Sequence, residues 1–169
     1  MKQALVIIAQ EGYQDRELDG TRNGLLEAGF EVVLASRDTG ECQGKLGGTE
    51  QASIALRDVQ VGDYDRIAFV GGPGMAAYAD DSDALTIAHE AARAGMPLGA
   101  ICIAPTILAK ARVLGGREAT VWDADGVQQA LLEQYDATYT GDEVTVDGNI
   151  VTANGPAAAE EFGKTLAAM

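Results

Sequence analysis

One cysteine occupies a position from which it could do chemistry. In Gly99-Ala100-Ile101-Cys102-Ile103-Ala104-Pro105, an apolar strand predicted over Pro97–Ile101 gives way to a short helix predicted over Ala104–Ala111. The small neighbours permit a tight turn, and Pro105 has the fixed φ suited to a first helical turn. A strand–turn–helix of this kind is a nucleophile elbow, which holds the central side chain clear at the top of a sheet. Backbone N–H groups and the positive end of the helix favour a thiolate there, so a lowered thiol pKa is expected. The alternative is a buried cysteine acting as a small hydrophobe.

A second segment, Gly71-Gly72-Pro73-Gly74, follows the apolar run Arg66–Val70. Its free N–H groups could stabilise a developing oxyanion, although strand-ending glycines also serve simple turns. It lacks the spacing of a phosphate loop, and no Gly-Lys-Ser/Thr follows. Carboxylates crowd the first strand–helix connection, Glu11-Gly12-Tyr13-Gln14-Asp15-Arg16-Glu17-Leu18. Most read as solvated helix-start acids, but one that opens the helix beside the cysteine turn could reach the sulfur. A carboxylate close to a thiolate raises both pKa values. Such a pair is stable as a carboxylic acid donating to S⁻, and its proton can serve acid or base chemistry.

Other candidates are weaker. Cys42 sits in Thr39-Gly40-Glu41-Cys42-Gln43-Gly44 and reads as an incidental loop cysteine. His89 lies more than two turns inside a helix predicted over Asp80–Ala94, on the part that runs away from the strand ends. A solvent-facing role is expected for it. As the single histidine of 169 residues, it also excludes mechanisms that need two imidazoles, including a His-rich zinc site. No metal and no cofactor are expected.

The elements that must position these groups follow from apolar patterning. Ala4–Ala9, Phe30–Ala35, Arg66–Val70 and Pro97–Ile101 are short, nearly continuous apolar runs. Between them lie a helix from about Arg16 to Ala28, closed by Gly29, and the helix over Asp80–Ala94, closed by Gly95. Gly40–Ile54 reads as an irregular excursion or edge hairpin. Val144-Thr145-Val146 and Ile150-Val151-Thr152 flank Asp147-Gly148, a hairpin signal. A closing helix is expected from about Ala157 to Ala167. Alternation of this kind predicts an α/β sandwich, a mostly parallel sheet with helices on both faces. In such folds ligands bind beyond the carboxyl ends of the strands, where the loop after Ala9, Gly71–Gly74 and the Cys102 turn should gather.

Composition bounds the partners. The chain is 47% hydrophobic and 22% charged, as expected for one globular domain over 1–169. Its net charge of −14 disfavours nucleic acid and anionic membranes. The four lysines, Lys2, Lys45, Lys110 and Lys164, are few against 26 acidic residues. That ratio fits either a surface adapted to high salt, as in a halophile, or an ordinary acidic protein. Two cysteines 60 residues apart are no disulfide framework and point to a reducing, cytoplasmic setting. The N-terminal apolar run is too short for a signal core or a membrane span.

Ala100-Ile101-Cys102-Ile103-Ala104-Pro105-Thr106, preceded by Gly71-Gly72-Pro73-Gly74 and by Glu17 far upstream, resembles the ThiJ/PfpI superfamily. This superfamily of DJ-one-like proteins, glyoxalases, deglycases and intracellular peptidases shares its fold with class I glutamine amidotransferases. Thr152-Ala153-Asn154-Gly155-Pro156 is similar to its last active-site loop. The resemblance implies a flavodoxin-like three-layer sandwich and a homodimer. It makes Cys102 the nucleophile, Glu17 its carboxylic partner, and the Gly72 and Ile103 amides the anion pocket. Gly71, Pro73, Trp122, Asn154, Gly155 and Pro156 would line the pocket. The chain departs from the pattern in several places: Met75-Ala76 stands where the peptidases have a glutamate from the partner subunit, and no histidine follows Cys102 as one does in the amidotransferases. Ile103 replaces the histidine that follows the cysteine in the peptidases, Trp122 stands where DJ-one-like proteins have a histidine, and Asn154 replaces an arginine.

Peptidase activity is therefore disfavoured. The expected function is conversion of a small carbonyl, glyoxal or methylglyoxal or their adducts, by Cys102 and Glu17. The alternative is a peroxide-responsive protein whose Cys102 is oxidised to sulfinate without robust turnover.

Overall fold

The computed structural model describes residues 1–169. In chain order the elements are β1 (Gln3–Ile7), β2 (Glu11–Tyr13), α1 (Asp15–Glu27), β3 (Glu31–Ser36), β4 (Gly40–Gly44), β5 (Thr49–Ala52), β6 (Ile54–Ala55), β7 (Arg66–Phe69), α2 (Ser82–Arg93), β8 (Leu98–Ile101), α3 (Pro105–Lys110), β9 (Glu118–Ala119), α4 (Val127–Gln134), β10 (Thr138–Tyr139), β11 (Val144–Asp147), β12 (Ile150–Ala153) and α5 (Ala159–Ala168).

Seven strands form the main sheet in the order β11-β12-β8-β7-β1-β3-β6. All neighbours pair in parallel except the β11–β12 hairpin. Residues 4–9 are almost wholly buried, which explains why β1 reads as an unbroken apolar run with no polar face. Helices α1 and α5 pack on each other, with α1 against β3 and α5 against β8 and β12; α2 and α3 pack on each other and on β8. The hydrophobic core fills the space between sheet and helices.

Chain order reverses at β1, which has β3 on one side and β7 on the other. The first connection runs β1 to β3 through α1, and the chain later returns to the opposite side as β7. The crevice beyond the ends of β1, β7 and β8 is the switch point where this class of sheet offers a site.

The polar stretch after β3, read as an irregular excursion or edge hairpin, is the hairpin: β4 and β5 pair antiparallel, and with β2 they form a small second sheet. Two other places differ from the sequence expectations. Helix α4 was not anticipated, because of its eight residues only Leu132 is buried. The helix predicted from Asp80 begins at Ser82 with Asp81 as its N-cap, since Pro73–Asp80 winds as a 3-10 helix.

Candidate active site

Cys102 follows β8 directly and has φ +65°, a left-handed conformation rare for a residue with a side chain. The surrounding chain enforces it: the Cys102 N–H donates to the Ala153 carbonyl at 2.9 Å, and the Cys102 carbonyl accepts from Trp122 N–H at 2.8 Å. The Ala104 N–H reaches back to the Ile101 carbonyl at 3.1 Å, closing the turn before Pro105 opens α3. Such a conformation persists only where the surrounding structure holds it, and it turns the Cys102 side chain away from the path of the strand.

Glu17 lies in the first turn of α1. Gln14 caps that helix, its Oε1 accepting from the Arg16 and Glu17 N–H groups at 2.7 and 3.2 Å. The Glu17 side chain is fully buried. Its Oε1 accepts from the Gly71 N–H at 2.9 Å, and its Oε2 has no aligned hydrogen-bond partner. Gly71 sits against both reactive groups: a Cβ there would fall 2.5 Å from Cys102 Cβ and 2.6 Å from Glu17 Oε1. Only glycine permits this approach. Gly72, at φ +116°, turns the chain into the 3-10 helix that follows.

The electrostatics correct one expectation. Burial, reinforced by the Glu17 carboxylate, pushes the Cys102 thiol up to about 12, against the downward pull of the Gly72 and Ile103 amides. A lowered cysteine pKa was expected. It does not result, because α3 is only six residues long and desolvation outweighs two backbone N–H groups. Burial also pushes Glu17 up to about 7, although the Gly71 amide, the Cys102 thiol and the Lys45 ammonium all pull it down. Between those two values the pair holds one proton, so the thiol proton has a carboxylate to go to.

Cys102 opens into a cleft of about 460 Å³ lined by Gln14, Lys45, Gly72, Pro73, Ala76, Cys102, Ile103, Trp122, Gln128 and Pro156. That volume lies within the range of small-molecule sites. A family model described as the DJ-1/PfpI family matches residues 2–169. The chain belongs to the DJ-1/PfpI family. It is 33% identical over 154 residues to a deglycase of Thermococcus kodakarensis, covering 90% of each chain. It is 27% identical over 161 residues to a glutathione-independent glyoxalase of Caenorhabditis elegans, covering 95% of this chain and 84% of that one. The crystal structure of a ThiJ/PfpI domain protein from Brachyspira murdochii superposes with TM-score 0.93 at 27% identity, over 98% and 94% of the two chains.

In this DJ-1/PfpI chain, Pro73, Trp122 and Pro156 lie on the cleft wall. Three expected lining residues do not. Gly71 is buried beneath Cys102 and Glu17, Gly155 is buried at the start of a 3-10 turn, and Asn154 is tied back to the hairpin by its N–H bond to the Glu143 carbonyl. Gln14, Lys45, Ala76 and Gln128 were not anticipated, since each depends on a tertiary contact that carries no local motif. His89 is exposed on α2 beside Arg93 and Lys110, in a different depression of about 360 Å³. Cys42 is no loop residue: it is fully buried on β4, accepting from Gln10 Nε2 at 3.6 Å. No group of three histidine, cysteine, aspartate or glutamate side chains is placed to hold a metal ion. No helix is long and apolar enough to cross a membrane.

Proposed function

We propose that the protein converts small 2-oxoaldehydes such as methylglyoxal, or their early adducts, to hydroxy acids through Cys102 and Glu17. The observation that carries this reading is the buried Glu17 carboxyl beside a strained, cleft-facing thiol, with the pair sharing a proton near neutrality. The names of the deglycase and glyoxalase relatives support the same class of reaction.

As the Cys102 sulfur bonds to the aldehyde carbon, Glu17 takes the thiol proton and the carbonyl electron pair moves to oxygen. The Gly72 and Ile103 amides stabilise that oxyanion until Glu17 returns the proton to it, giving a hemithioacetal. Glu17, again ionised, removes the hydrogen from the same carbon as a proton to give an enediolate and delivers it to the adjacent carbon, while the hydroxyl proton passes to that carbon's oxygen, leaving the thioester of the 2-hydroxy acid. Water attacks the acyl carbon, releases the hydroxy acid and restores the thiol. Methylglyoxal plus water thus gives lactate, with no external oxidant or base. A reducing compartment and a homodimer belong to the same reading.

A second reading rests on the same contact. Peroxide would oxidise the thiolate to sulfenic and then sulfinic acid, with protonated Glu17 donating a hydrogen bond to the sulfinate. Lactate formation by wild type, Cys102→Ser and Glu17→Gln, with mass analysis of Cys102 after peroxide, separates the two. The proposal expects wild-type turnover, none with Cys102→Ser, and a loss of about 10²-fold or more with Glu17→Gln. No hydroxy acid from wild type, together with an oxidation that stops at sulfinate, would leave the sensor reading standing.

A further inference from the structure

The wall of the Cys102 cleft offers hydrogen-bond donors and a positive charge, and no carboxylate stands on it. Gln14 spends its amide oxygen capping α1, so its Nε2 has no partner. Gln128 spends its amide oxygen on the Ala124 N–H at 2.8 Å, so its Nε2 is unpartnered as well. With the oxygens fixed by backbone N–H groups, neither amide can flip, and both present donors. The third polar wall residue is Lys45, one of only four lysines in a chain of net charge −14.

Lys45 forms none of the chain's ion pairs. Its backbone is nonetheless held firmly. The Lys45 N–H donates to the Tyr13 carbonyl at 2.8 Å, and the Gly44 N–H to the Gly48 carbonyl at 2.7 Å. The Asp15 carboxylate clasps the same turn from below, accepting from the Leu46 and Gly48 N–H groups at 2.7 and 2.9 Å. An exposed ammonium on a braced turn shares the cleft wall with two amides whose oxygens are already committed, a set of groups suited to an acceptor-rich anion.

We infer that this cleft selects 2-oxoaldehydes that carry an anionic group at the end remote from the aldehyde, with Lys45 as the specificity-determining residue and Gln14 and Gln128 as supporting donors. The inference rests on the proposed Cys102 chemistry for the reaction, but the recognition of charge is a property of the wall alone. The carbonyl end meets the sulfur, while the anionic end lies toward the turn between β4 and β5. A neutral compound such as methylglyoxal fills only the first part of that path.

Two measurements test it. In the first, the intact protein and its Lys45→Met and Lys45→Arg variants are alkylated with iodoacetate and with iodoacetamide, reagents of the same shape that differ in charge. Rates at Cys102 are normalised to those of free cysteine. Wild type should favour the anionic reagent, Lys45→Met should lose about tenfold of that preference, and Lys45→Arg should retain most of it. In the second, 4,5-dioxopentanoate and uncharged 2-oxopentanal are compared as substrates, the former giving 2-hydroxyglutarate by addition of water. Lys45→Met should raise the KM of the anionic substrate relative to that of the neutral one by about tenfold, a ratio in which any effect of the lost ammonium on Glu17 cancels, and Lys45→Arg should keep that ratio close to wild type. An unchanged alkylation ratio in Lys45→Met overturns the inference and leaves the Cys102 chemistry standing. Preserved charge selectivity in alkylation, with no turnover of any oxoaldehyde, overturns the proposed reaction and leaves the receptor. Absence of alkylation by either reagent overturns both.

Discussion

The two cysteines of this chain show how little a residue type decides and how much its setting does. Cys42 lies on β4 with no exposed surface, its sulfur bonded to Gln10 and to the Gly40 carbonyl, and burial pushes its thiol up. Cys102 is also desolvated and also pushed up, yet it is partly exposed, left-handed in its backbone, and open to a cleft. Raised thiol pKa alone therefore does not separate them. The difference is a proton acceptor: Cys102 has the buried Glu17 carboxyl beside it, and Cys42 has only weak neutral hydrogen-bond partners.

The sharpest break in this comparison is to neutralise the acceptor. Burial holds the folded Glu17 carboxyl at about 7, against an ordinary value of 4.5. As pH rises, the unfolded chain releases this proton first, so the folded form holds an extra proton across that window. The stability contribution is complete below the ordinary value and is lost as pH rises to about 7. Glu17→Gln removes the titration, so its stability should stay flat where wild type declines. Denaturant unfolding near pH 8 should then find the variant more stable, by up to about 3 kcal/mol.

A second break leaves both reactive groups in place and disturbs only their spacing. In Gly71→Ala the added methyl would lie within 2.6 Å of Cys102 Cβ and of Glu17 Oε1. Activity should fall on the order of 10²-fold. Iodoacetamide should still label Cys102, which distinguishes a displaced pair from a lost thiol. The smallest effect is expected at the other cysteine. Cys42→Ser should keep full activity and lose about 1–2 kcal/mol of stability, because it places a hydroxyl in a site built for sulfur.

The sequence was most readable where local pattern and tertiary role coincide. The apolar runs that became β1, β7 and β8, the Asp147-Gly148 hairpin and the strand–turn–helix at Cys102 all carry short-range signals, and the structure places them where those signals pointed. The small sheet was harder, because β4 buries only Cys42 and shows glycines and polar residues elsewhere, so its alternation resembles a loop. The thiol pKa departs from the local pattern for a different reason: depth of burial is a tertiary quantity, and it outweighs the local amides. Lys45, Gln14 and Gln128 left no trace at all, since each becomes a wall residue only when the turn after β4, the start of α1 and α4 converge on the cleft.

In the proposed reaction, Glu17 takes the proton from Cys102. The rate of Cys102 alkylation by iodoacetamide, followed against pH in wild type and Glu17→Gln, tests it most directly. The wild-type rate should rise through about pH 7 as the carboxyl ionises. In Glu17→Gln that rise should vanish, leaving only an increase at alkaline pH, and Cys42 should stay unlabelled in both proteins. Superimposable profiles for the two proteins would contradict it.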